Sequence, residues 1–511
     1  MFRAENGPEY RGHSMSAVSS EVKTTAAKPV EGVGRASSPL VLGLVSLALL
    51  VGLGLRYLGA SGDLWLDEVW SLRLVAPLAH VGEVFWGISH DNNHFLNSAW
   101  LYLVGSDQSA LFYRLPSILM GGLSVVCAAL IGARQGRAEA VFAAVLVACA
   151  LPFVHYGSEA RGYAGLVLAM FLAVYCFDRL MDARAADDHS GGIRWSWLLG
   201  ASIGFGALSH LTMLMMAACL GAAAVVLIWR DKRVFGEAFS VALSLFRPSL
   251  MLLFPAMGAM AAGVMNRGTF EIGGTMPFSV ERFLEGFGGL LRFTLGVPGA
   301  VPLALVVGAV LTLLALAAWQ RLMSTRRMVL VLMALVVLPG AMFAARLSNV
   351  EYPRYFLVCA VVLVLAVADV FGALWRRGGL DRPLVLGLLA LIVAGQISPL
   401  QRLITDGRGG YSALVARMGE GQAAYDSNHA FKNGTMISFY AERLNRAPHA
   451  VSAATFCEKK PEWYVLGGVS AAAAPETLES GPAECRARFG KNASFGASNL
   501  SGWPVILYQR Q

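Results

Sequence analysis

The sequence predicts an all-α polytopic membrane domain of about eleven spanning helices, followed by a small extracytoplasmic α/β domain. Three observations lead there. Hydrophobic residues make up 56% of the 511 residues and charged residues only 14%, where a soluble domain carries about 25% charge. The apolar residues form blocks of about 20, the length that crosses a hydrocarbon core of about 30 Å, rather than periodic stripes. Lysine and arginine gather in alternate short connections between the blocks, as in a chain that keeps its cations on the cytoplasmic side.

The elements follow in order. Residues 1–38 are polar, with Gly, Ser, Pro and scattered charge, and read as a disordered cytoplasmic tail. The first span, 39–58, has no cleavage pattern after it and is retained. The loop 59–113 is too charged and too aromatic to span. Spans follow near 115–133, 138–156, 162–179, 196–209, 211–229 and 248–265. A second amphiphilic loop, 266–298, precedes spans near 299–319, 328–346, 355–375 and 383–399. The membrane domain thus covers 39–399, and the segment 400–511 forms the second domain.

This arrangement puts one set of cations on a single side: Arg134 and Arg137; Arg179, Arg184 and Arg194; Arg230, Lys232 and Arg233; Arg321, Arg326 and Arg327; Arg376, Arg377 and Arg382. That side is cytoplasmic by the positive-inside rule, so both long loops and the tail face outward. The net charge of +8, which in a soluble chain suggests a nucleic-acid partner, has its explanation here in the membrane. In the tail, the runs 435–440, 463–466 and 505–508 read as strands, and a helix-like stretch lies between Ser412 and Tyr425. At about 110 residues the tail is long enough to bury its own core. Cys457 and Cys485 lie in it and can pair in an oxidising compartment. The other five cysteines, Cys127, Cys149, Cys176, Cys219 and Cys359, sit in apolar blocks as small hydrophobes. Asn433, Asn492 and Asn499 open N-x-S/T triplets, which matter only in a host that glycosylates asparagine.

Charge inside a bilayer is costly and usually functional. Asp369, near the cytoplasmic end of its span, is the main such charge, and that scarcity argues against an ion-coupled pump. The unusual polar residues gather instead at outer ends of spans. Asp67 and Glu68 stand among Leu64, Trp65, Leu66, Val69 and Trp70. An acid at an apolar interface serves as a general base or binds a cation; a helix start that favours acids is the plainer reading. His90-Asp91-Asn92-Asn93-His94 offers ring nitrogens, a carboxylate and amides, suited to a metal or to sugar hydroxyls, or to capping the next helix. The turn from His155 to Tyr163 carries Glu159 and Arg161, an arginine on the side where cations are not expected, suited to phosphate or carboxylate. Arg354, between Tyr352 and Tyr355, repeats that pattern, Arg114 and Arg346 share the outward side, and His210 adds a titratable group at another outer turn. Acids from one loop and arginines from several span ends compose a site for an anionic lipid headgroup and an activated nucleophile.

In these motifs the chain resembles the GT-C superfamily of polytopic glycosyltransferases, in the branch of the protein O-mannosyltransferases and the lipid A aminoarabinose and galacturonic acid transferases. Asp67-Glu68 resembles the paired acids of the first outer loop. Glu159, Ala160, Arg161 and Tyr163 match the family's Y-S-Q-E-A-R-x-Y turn. Arg114-Leu115-Pro116-Ser117 resembles the R-x-P-S start of the second span, and Arg354-Tyr355-Phe356-Leu357 the late R-Y-x-L motif. The likeness covers about 40–400, in family order. One departure stands out: where many relatives carry H-P-P-L or K-P-P-L, this chain has Asn93-His94-Phe95-Leu96.

The resemblance implies an enzyme that moves a sugar, with inversion, from a polyprenyl-phosphate carrier to an extracytoplasmic glycolipid, envelope polymer or protein, in a bacterial inner membrane. It implies Asp67 as general base with Glu68 in support, and Arg161 and Arg354 on the donor phosphate. Asp91, His94, His155, Glu159, Tyr163 and His210 would contact sugar or acceptor; Asp91 and His94 are also the candidates for a divalent metal, and no other cofactor is implied. Two further readings stand beside it: a transporter or flippase of a lipid-linked sugar, which would carry internal repeats and polar residues deep in its helices, and a noncatalytic relative that binds the lipid.

Overall fold

The computed structural model describes residues 38–498 and 500–511. Residues 1–37 of the expected disordered tail, and Asn499, lie outside the described residues.

The chain opens with α1 (Pro39–Gly59), then α2 (Leu66–Val75) and α3 (Phe95–Val104) in loop one. The helices α4 (Ala110–Ala133), α5 (Arg137–Cys149), α6 (Leu151–Tyr156), α7 (Tyr163–Ala185), α8 (His189–Ser209), α9 (Met213–Lys232) and α10 (Phe235–Arg267) follow. Loop two folds as α11 (Val280–Phe283), a π turn and α12 (Gly289–Leu295). The bundle closes with α13 (Leu303–Trp319), α14 (Thr325–Leu332), α15 (Leu338–Ala344), α16 (Leu357–Arg377) and α17 (Asp381–Thr405). The protein is an integral, multi-pass membrane protein by these helices: α7 and α16 are buried along most of their length at the centre, and α1, α10 and α17 show leucines outward.

Among the described residues eight helices are long and apolar enough to cross a bilayer, fewer than the eleven expected. Each of the other three expected segments is helical, with a physical reason for falling short. The 138–156 segment is broken: Ala150 is extended (ψ 129) ahead of Pro152, which has no N–H to continue the helix. Helix α13 has only 17 residues. Helix α8 begins in a polar turn, with His189, Arg194 and two serines. The break between α5 and α6 exposes backbone groups that hydrocarbon cannot satisfy. Arg56 of α1 does so: its Nη2 donates to the Val147 carbonyl at 3.0 Å and its Nη1 to Ala148 at 3.4 Å, while Leu151 N–H donates to Gln396 Oε1 at 2.9 Å. A side chain at Gly121 or Gly157 would collide with that arginine.

Four of the cations expected on one side pair with acids at one end of the bundle. Arg134 and Arg326 pair with Asp182, Arg327 with Asp369 at 2.9 Å, and Arg376 with Glu139. Asp369 therefore has a structural partner.

The C-terminal part holds α18 (Tyr411–Arg417), α19 (Ala430–Arg443) and a mixed sheet of β1 (Ala424–Ser427), β2 (His449–Ala450), β3 (Trp463–Gly467), β4 (Thr477–Ser480), β5 (Ala487–Phe495) and β6 (Val505–Arg510), in the order β2-β1-β3-β6-β5-β4. Strands β2, β1 and β3 are parallel; the remaining pairs are antiparallel. The runs 463–466 and 505–508 are strands as expected. The run 435–440 is not: it lies in α19, because Met436, Ile437, Tyr440 and Ala441 recur at helical spacing and bury one face.

That face meets loop one, so the sheet shares one layer of its core with loop one and encloses the other itself. Alternate residues of the strands separate the two layers. Trp463, Val465, Val505 and Leu507 join Leu64, Val69, Leu72, Ile88 and Tyr113 in one cluster. Tyr464, Leu466, Ile506 and Tyr508 face the other way, with Phe456 and Phe489. Each fully buried Val or Leu here contributes roughly 1.5–3 kcal/mol. Cys457 and Cys485 are disulfide-bonded at the rim of the second layer.

Candidate active site

The site forms where loop one, three helix ends and the sheet domain meet, at the end of the bundle opposite the Arg134 cluster. Helix α2 begins at Leu66 with two acids in its first turn. Adjacent helical residues diverge by about 100°, and here that divergence gives the two acids different surroundings.

Glu68 is fully buried. Arg114 of α4 grips it twice, Nε to Oε1 at 2.8 Å and Nη2 to Oε2 at 2.6 Å, and the Ala160 and Trp65 amides donate to it at 2.6 and 3.1 Å. Its capacity is filled by the frame. Asp67 instead keeps 24% of its side chain exposed. Arg161 Nη1 donates to its Oδ2 at 2.7 Å, and Arg354 Nη1 stands 3.9 Å from the same oxygen. These arginines come from the start of α7 and from the short 3₁₀ turn before α16.

Arg161 is held by Asn92 Oδ1 at 2.5 Å and His94 Nε2 at 3.1 Å, and lies over the rings of Trp65 and Tyr163. An arginine only donates, so His94 Nε2 accepts, and its Nδ1 carries the proton toward the Ser209 carbonyl. Burial, then the charges of His210 and Arg161, hold His94 well below its ordinary pKa. His210, 4.7 Å away ring to ring, is pushed down to about 3 by burial and by Arg161 and Arg354. Both imidazoles are neutral at physiological pH. Tyr163 closes this aromatic group, 4.8 Å from His210 and 5.6 Å from His94.

Two features leave donors for a ligand. Arg161 Nε is buried with no partner. Arg354 stacks on Tyr352 and Tyr355, at 4.3 and 5.7 Å, and donates no hydrogen bond among the described residues. An anion entering beside Asp67 would find both.

Other expected residues lie apart. Asp91 is bound to His90 Nδ1 at 2.8 Å and to the Gly273 amide at 3.2 Å, which ties loop one to loop two. Burial raises its pKa, but those two bonds outweigh it and hold the carboxyl below its ordinary value. Asp91 and His94 do not converge, and among the described residues no three His, Cys, Asp or Glu side chains group as a metal site. The arginine-facing nitrogen of His94 does not suit a divalent cation, so no step here runs through a metal. His155 and Glu159 form a buried pair at 3.1 Å behind the site. Burial pushes the Glu159 carboxyl up, but the His155 bond and Arg408 bring it below its ordinary value.

Arg408 is the residue sequence reasoning missed most clearly. It follows α17 and is fully buried, reaching Glu159 Oε1 at 3.4 Å, the Gly59 and His155 carbonyls at 2.9 Å each, and Ser158 Oγ at 3.0 Å. Its signal was available: an arginine just past the last span, on the side poor in cations, flanked by Gly407 and Gly409 in left-handed conformations. Asn92 was singled out only as part of a polar run.

Residues 94–252 match the family model "Dolichyl-phosphate-mannose-protein mannosyltransferase". No curated protein matches the sequence. Among solved structures, ArnT from Cupriavidus metallidurans in its apo state aligns over 92% of this chain and 98% of its own, at 13% identity and a TM-score of 0.51. The same protein bound to undecaprenyl phosphate aligns over the same shares, at 14% identity and a TM-score of 0.50. The fold is therefore that of the ArnT structures, a helical membrane domain with a small C-terminal sheet domain. Within that class the chain resembles the branch of ArnT and the protein mannosyltransferases.

Proposed function

We propose that the protein transfers a sugar from a polyprenyl-phosphate carrier to a hydroxyl of an acceptor on the extracytoplasmic face of a bacterial inner membrane. The observation that carries this reading is Asp67 Oδ2, partly open, with Arg161 at 2.7 Å and Arg354 at 3.9 Å. One carboxylate can accept a proton while two cations, both with unused N–H groups, receive an anion. The ArnT structure with undecaprenyl phosphate supports the donor class, and the Cys457–Cys485 bond supports an oxidising side for the sheet domain.

In this mechanism the donor phosphate displaces Asp67 from part of the arginine pair. The acceptor oxygen attacks the anomeric carbon from the face opposite the phosphate, and its proton passes to Asp67. The bond from that carbon to the phosphate oxygen breaks, its electron pair staying on the phosphate. Arg161 and Arg354 stabilise the charge that develops there. One displacement inverts the anomeric centre. Glu68 is a positioning residue: through Arg114 it fixes the first turn of α2. His94, His210 and Asn92 position Arg161, and Tyr163 packs beneath it.

The test compares wild type with Asp67→Asn in detergent, using radiolabelled polyprenyl-phosphate sugars and an envelope extract. Label should reach a lipid, polymer or protein fraction with wild type alone, with both proteins equally folded. Turnover by the variant at the wild-type rate would remove Asp67 from the mechanism.

A further inference from the structure

The sheet domain does more than cover the site. Helix α19 packs its first turn on the face of α2 that carries Asp67: Phe431 meets Trp70 edge-on at 5.3 Å, and Trp70 stands one turn from Asp67 on the same side. Trp70 Nε1 in turn donates to His90 Nε2 at 3.2 Å. The next residue of α19 is Lys432. Its Nζ lies over the Trp503 ring at 3.9 Å, and His429 packs edge-on against that ring at 5.9 Å. Among the described residues Lys432 has no carboxylate within ion-pair distance. It is half-buried; burial lowers its pKa and the nearby charge of Asp67 raises it.

A half-buried cation without a counter-ion, stacked on an aromatic ring beside a reactive carboxylate, is a receptor for an anion. The donor phosphate is served by other groups. It is tethered to a chain in the bilayer and enters from the bundle side, where Arg161 and Arg354 stand. Lys432 reaches the same space from the water-facing side, the direction of an incoming acceptor. We propose that Lys432, with Trp503, forms an acceptor subsite selective for an anionic sugar, one carrying a phosphate or a carboxylate near the hydroxyl that is glycosylated. The inference rests on the transferase reading for what the bound sugar is used for, and on Lys432 alone for charge selectivity. An ammonium recognises either anion as a point charge, and the Trp503 ring beneath Nζ holds it in position.

Calorimetric titration tests this on the full chain in detergent, saturated with short-chain polyprenyl phosphate so that the arginines are occupied. The probes are glucose 1-phosphate, glucuronate and glucose. At least one anionic sugar should bind and glucose should not; which one binds distinguishes phosphate from carboxylate. Lys432→Ala should weaken that binding about tenfold or more, and Lys432→Arg should restore most of it. Affinity for polyprenyl phosphate should be the same in Lys432→Ala as in wild type, and reduced in Arg161→Ala. Equal binding of the anionic sugars by wild type and Lys432→Ala, or glucose binding as tightly as they do, overturns the subsite. A wild type that fails to bind polyprenyl phosphate overturns the donor assignment, and the Lys432 dependence of the sugar titration still decides the subsite.

Discussion

Glu68 and Arg114 meet through two parallel hydrogen bonds, at 2.6 and 2.8 Å, with neither side chain open to water. The pair sits directly behind Asp67, so the neighbouring acids divide their work: one fixes the frame and the other faces the ligand space. Glu68→Ala leaves Arg114 buried and unpaired, which costs about 3–5 kcal/mol. Thermal unfolding in detergent should show a large loss for Glu68→Ala and little for Asp67→Asn. The reverse order would exchange their roles.

Arg161 carries the most convergent set of contacts in the site, and its Nε has none. Arg161→Ala should lower affinity for a polyprenyl-phosphate sugar by about tenfold or more, in keeping with the loss of a charge-assisted contact. Equilibrium binding with labelled lipid measures this. Arg161→Lys should recover part of the affinity, since it restores the charge without the fork.

Arg408 holds the start of the sheet domain to the bundle. Its removal strands the buried Glu159 carboxylate beside His155, a loss of about 3 kcal/mol or more. Limited proteolysis of Arg408→Ala should release the C-terminal segment at protease levels that leave wild type intact.

The pH response follows from the neutral histidines. His210 is held near 3, against 6.5 for a free imidazole, and His94 is lowered too. The unfolded chain therefore binds protons that the folded one refuses. Their contribution to stability is complete above about pH 6.5 and declines as pH falls below it; for His210 the decline runs toward pH 3, at about 1.4 kcal/mol per unit. Melting temperature should drop between about pH 7 and pH 5, and His210→Asn should flatten that slope. An unchanged slope in the variant would exclude His210 as a source.

The Cys457–Cys485 bond closes a loop with a sequence separation of 28. Loop-closure entropy sets its contribution at about 3–4 kcal/mol. Reduction should lower the melting temperature of the sheet domain, and neither cysteine should take a thiol label before reduction.

What was legible in the sequence has a common cause. Spans show because hydrocarbon demands long apolar blocks, and the fold class followed from them. Where a block was interrupted, as at Pro152, its rescue by Arg56 and Gln396 depends on helices far along the chain and left no local sign. Asp67, Arg161 and Arg354 stood out because charge at that end of the bundle is unusual, and the structure brings the three together. The different surroundings of Glu68 did not show, since adjacency in sequence conceals opposite directions on a helix. Lys432 was hidden for another reason: 435–440 carries the β-branched and aromatic residues of a strand, and only its burial against loop one makes it helix. Once α19 was misread, its first turn could not be placed over Asp67.

Arg73 of loop one donates to the Thr435 carbonyl and to Ser438, across 362 residues of chain. The ribosome makes one side of the candidate site long after the other. Until α19 and the strands are made, Leu64, Val69 and Leu72 lack their partners in the sheet domain, and Arg73 lacks the two acceptors that bind α2 to it. The order of synthesis thus sets an order of assembly: α2 is made early and gains these contacts only when α19, made far later, folds onto it.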